Sequence, residues 1–112
     1  MNERFERVRD VLAELIKAAL VSDDSRSLAS RQAAETGRAS LRENPPDPAE
    51  IRMDGAWTLA VQAAEAPELQ PEEGRVNLIL PRACPFTLNE FLSPGFDPDE
   101  AVERIRKSAS TG

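Results

Sequence analysis

Apolar residues recur at helical spacing along most of this chain. From residue 2 to 21, Phe5, Val8, Leu12, Leu15, Ile16, Ala19 and Leu20 fall on one stripe, with Glu3, Arg7, Asp10, Glu14 and Lys17 mostly between them. That spacing predicts a first helix over 2–21, and Glu3 with Arg7 supplies an ion pair in the favourable order. Its stripe is either core or a homodimer seam. The Ser22–Ser25 stretch offers caps for a second helix over 25–43. Leu28, Ala33 or Ala34, and Leu41 are its only inward markers, and Gly37 weakens it by about 1 kcal/mol relative to Ala. A third helix over 48–65 is expected to open on the Asp47-Pro48-x-Glu50 capping pattern. Ile51, Leu59, Ala60, Ala63 and Ala64 form its expected inner face, with Trp57 buried nearby. A fourth over 98–108 opens on Asp97-Pro98-x-Glu100 and turns Ala101, Val102 and Ile105 inward.

Between the last two helices the helical period disappears. Residues 74–97 read as an irregular strap, entered through residues 75–81 as a short strand or extended segment, because Val76, Leu78 and Leu80 alternate while Ile79 interrupts. The prolines at 81 and 85 hold the backbone around Cys84 extended. Thr87 and Glu90 sit at capping-box spacing and predict one short helical turn. Phe86, Phe91 and Phe96 are three of the four phenylalanines in the chain. With Leu88 they supply the bulk the helices lack, so Cys84, Phe86, Leu88, Phe91 and Phe96 form the expected structural strap. The fold class is all-α: one domain over 1–112, a small bundle of three to four helices with a Pro/Phe-rich strap near the C-terminus.

Charge changes the picture only when it is divided along the chain. The net charge is −6. Residues 1–43 balance, as do residues 74–112. Residues 44–73 carry Asp47, Glu50, Asp54, Glu65, Glu68, Glu72 and Glu73 against Arg52 alone, which accounts for the whole excess. An acidic chain is a poor general binder of nucleic acid, whose phosphates call for clustered Lys and Arg. An acidic segment instead complements a basic protein surface. Glu65, Glu68, Glu72 and Glu73 are the candidate partner-binding residues. The competing reading is an arginine face of Arg31, Arg38 and Arg42, through which an antitoxin-like dimer would contact nucleic acid.

Catalytic signals are thin. The chain has no His and one Cys, which removes an internal disulfide and any Cys-His pair. A thiol-dependent enzyme built on Cys84 is the third reading, with Arg82 two residues away as its only sequence-adjacent activator. Asp97, Asp99 and Glu100 resemble a hard-cation cluster, but capping already explains two of them, so neither a metal nor a cofactor is expected. No apolar run reaches the roughly 18 residues of a membrane span, and the opening residues carry no apolar signal region. A cytoplasmic, bacterial setting is the expectation.

The stretch from Leu80 to Pro98 also resembles the end of a bacterial family of helical proteins catalogued as domain of unknown function twenty-nine. The resemblance rests on Cys84, Pro85, Phe86, Thr87, Leu88, Leu92 and Phe96, and more loosely on Leu41, Pro45 and Trp57; it covers about half the chain. Glu90 and Ser93 and the helix after Pro98 depart from the family pattern. The likeness implies an all-α bundle with this motif packed along its side, and implies no activity. Together these features lead to the expectation of a small acidic, non-enzymatic protein-binding module, an inhibitor or antagonist of a basic, nucleic-acid-handling protein.

Overall fold

The computed structural model describes residues 3–20, 24–43, 51–65, 78–79, 84–93, 95–108 and 110–111. Five helices follow in order: α1 (Glu3–Leu20), α2 (Asp24–Glu43), α3 (Met53–Glu65), the single turn α4 (Leu88–Phe91) and α5 (Pro98–Ser108). Leu78–Ile79 (β1) and Ser110–Thr111 (β2) pair antiparallel over two residues each. That pairing is too short to alter the all-α class, and it puts the extended stretch before the strap beside the chain that follows α5.

The centre of the bundle is α1, which packs against α2, α3 and α5. Its buried set includes Val8, Leu12, Leu15 and Ile16, none with any exposed surface. It extends beyond the expected stripe to Val11, Ala13 and Ala18, because three helices surround α1 rather than one. The stripe that sequence alone leaves open as a dimer seam is therefore covered within the chain. Glu3 and Arg7 do pair, at 3.6 Å, in an exposed position where such pairs contribute little.

The inward edge of α2 is Ser27, Ala34, Arg38 and Leu41, a stripe at 7-, 4- and 3-residue steps. Leu28 stands one position off that stripe and is 53% exposed, so it is not the core residue its type suggested. Its place is taken by Ser27, whose hydroxyl donates to the Ala18 carbonyl at 3.0 Å. Gly37 also has a reason. A Cβ there would lie 2.6 Å from Val11 Cγ2, so α2 crosses α1 closely at this point.

The third helix starts later than its capping pattern implies. Ile51 and Arg52 are non-helical, and the Arg52 carbonyl accepts the first bond, from Ala56 N–H at 3.0 Å. Asp47, Pro48 and Glu50 lie outside the described residues. Ile51 is buried just ahead of the helix and Ala56 is buried one turn in, which are the two positions of a hydrophobic staple; seating Ile51 fixes where the helix begins. Trp57, Ala60 and Ala64 face inward as expected, with Trp57 fully buried, but Leu59 is 41% exposed. The fourth expected helix forms over 98–108 as predicted: Asp97 Oδ1 accepts from Asp99 N–H at 2.9 Å, and Asp97 O accepts from Ala101 N–H at 2.9 Å.

The Gly37 contact yields a direct test. Ala is the better helix former by about 1 kcal/mol, yet its methyl must displace Val11, a β-branched side chain held in the core with little rotamer freedom. Gly37→Ala is expected to destabilise by about 1–3 kcal/mol in denaturant unfolding. The double variant Gly37→Ala/Val11→Ala should recover part of that loss. A single variant more stable than the parent would show that the crossing is looser than described.

Candidate functional site

Three aromatic rings cluster just ahead of α5. Phe96 meets Phe86 edge-on at 5.6 Å between centroids and 74° between planes, and meets Phe91 at 5.6 Å and 70°. These are the arrangements that ring quadrupoles favour. Phe91 is fully buried and Phe86 nearly so, while Cys84, Leu88 and Phe96 are half-buried against the core. Thr87 caps the turn α4, accepting from Glu90 N–H at 3.1 Å, and the Glu90 carboxylate faces back to Thr87, so the predicted capping box closes.

Two guanidinium groups hold this cluster from opposite sides. Arg38, on the inward stripe of α2, is 2% exposed. Its Nη1 donates to the Ser93 carbonyl at 2.8 Å and the Phe91 carbonyl at 3.4 Å, and Nη2 reaches the Phe96 carbonyl at 3.5 Å. Glu35 closes a two-point pair with it, at 2.9 and 2.7 Å, and its guanidinium lies 5.0 Å from the Phe96 ring centre. The Ser93 carbonyl also accepts from Phe96 N–H at 3.1 Å within the turn, and a buried carbonyl left without a donor is costly. A planar fork with five N–H groups satisfies several carbonyls at once. From the other side, Arg104 of α5 pairs with Glu90 at 2.6 Å, donates to the Pro85 carbonyl at 3.3 Å and stacks 5.3 Å from the Phe86 ring centre. That hydrogen bond holds the Glu90 carboxyl below the usual carboxylate range.

A third arginine does similar work at a helix end. The last carbonyls of α1 have no intrahelical donors. Arg106 donates to Ala19 O and Ala18 O, each at 3.2 Å, and its positive charge suits the negative end of the helix dipole. The last turn of α5 carries Arg106 and Lys107, which also suit the dipole of α5 itself.

The arginine face is accordingly not assembled. Arg38 is inside the protein, Arg31 pairs with Asp99 at 2.9 Å, and of the three only Arg42 stands exposed, at the end of α2. Of the acidic candidates, Glu68, Glu72 and Glu73 and the side chain of Glu65 lie outside the described residues. Asp54 of the same segment has an internal partner: its Oδ1 accepts from Cys84 N–H at 3.0 Å and anchors the start of the strap on α3.

Cys84 is not set up as a nucleophile. Burial pushes its thiol up to about 11; a hydrogen bond from the Phe86 backbone works against this, and the Asp54 and Glu90 carboxylates add smaller effects that oppose ionisation. A thiolate is the reactive form, and the balance at this position disfavours it. Asp97 and Glu90 are occupied by capping and by Arg104, and among the described residues no group of three acids, Cys or His stands close enough to hold a metal ion. Phe86, Glu90, Phe96, Glu100 and Arg104 surround a shallow cleft of about 200 Å³ between the strap and α5. No family model, curated protein or solved structure matches the chain.

The thiol offers a measurable pH signature. At pH 8 the native protein should react with a small alkylating reagent about 100-fold more slowly than the unfolded chain, from the difference between about 11 and the ordinary 9.0. The folded state holds its proton over this interval and the unfolded chain does not, so stability should fall as pH rises from about 9 to about 11. Equal alkylation rates in native and unfolded protein would place the sulfur in solvent.

Proposed function

We propose that this protein is a small non-enzymatic binding module that docks a basic protein through its acidic segment, residues 44–73, as an inhibitor or antagonist of a nucleic-acid-handling partner. One observation carries this reading: the entire net charge of −6 falls within that segment, while the flanking thirds of the chain are neutral. The arginines add support. Arg31, Arg38, Arg104 and Arg106 are all engaged with the protein's own carboxylates and carbonyls, and Arg38 is buried. Complementary charge chiefly raises association rate and selects the partner, and its effect falls with salt.

The test compares the parent with a variant carrying Glu65→Lys, Glu68→Lys, Glu72→Lys and Glu73→Lys, each used as bait in lysate treated with nuclease. The parent should retain a stoichiometric protein partner at low salt and release it as salt is raised; the variant should lose it. Capture that disappears on nuclease treatment, or that is equal for both baits, contradicts the proposal.

A further inference from the structure

We draw no further inference here: the strongest candidate, the shallow cleft between the strap and α5 lined by Phe86, Glu90, Phe96, Asp97, Glu100 and Arg104, gathers carboxylates of which Glu90 pairs with Arg104 and Asp97 caps α5, and nothing in the structure shows a ligand that it would take.

Discussion

The buried guanidinium of Arg38 is the constraint on which the C-terminal third of the fold depends. The strap from Cys84 to Asp97 has one helical turn and otherwise irregular backbone, yet it delivers two of the largest buried side chains, Phe86 and Phe91, onto the bundle. Burying those rings pulls the Phe91, Ser93 and Phe96 carbonyls out of water. Hydrophobic burial favours the move, and unsatisfied backbone opposes it. Arg38 reconciles the two by bringing its donors to all three carbonyls from α2. Its charge is balanced by Glu35, which remains partly exposed, so only one member of the pair is fully desolvated.

The same solution recurs around the strap and α5. Arg104 serves the Pro85 carbonyl and the Phe86 ring from α5, and Arg106 serves the open end of α1. A chain with four phenylalanines, one tryptophan and no tyrosine has few large side chains with which to fix its geometry. Arginine supplies both apolar stem and oriented donors, and it stacks on rings as well. Of these arginines only Arg38 is taken off the surface; the Arg104 side chain stays 50% exposed and that of Arg106 32%.

Much of this was legible in the sequence. Period and capping located α1, α2 and α5 within a residue or two at each end, the Thr87–Glu90 box fixed α4, and the cluster of phenylalanines marked the strap. What stayed hidden came from tertiary choices. Arg38 falls on the inward stripe of α2 together with Ala34 and Leu41, but an arginine there reads as surface because the carbonyls it serves lie more than fifty residues away. Leu28 and Leu59 read as core by residue type, yet Ser27 and Ala56 hold the inward positions because the helices approach closely. The start of α3 was misread because Ile51, outside any helix, seats in the core ahead of it. The candidate site was less legible than the fold: charge division singled out the acidic segment, but the side chains of Glu65, Glu68, Glu72 and Glu73 lie outside the described residues.

The most direct test of the Arg38 clamp is amide hydrogen exchange across Phe91–Phe96, measured with unfolding free energy, in the parent and in Arg38→Lys. Lysine keeps the charge but has no planar fork. Loss of about 3 kcal/mol, roughly the scale of a broken buried charge pair and its hydrogen bonds, with exchange of the strap amides far faster than in α1, is the expected result. A lysine variant as stable as the parent, with the strap still protected, would contradict it.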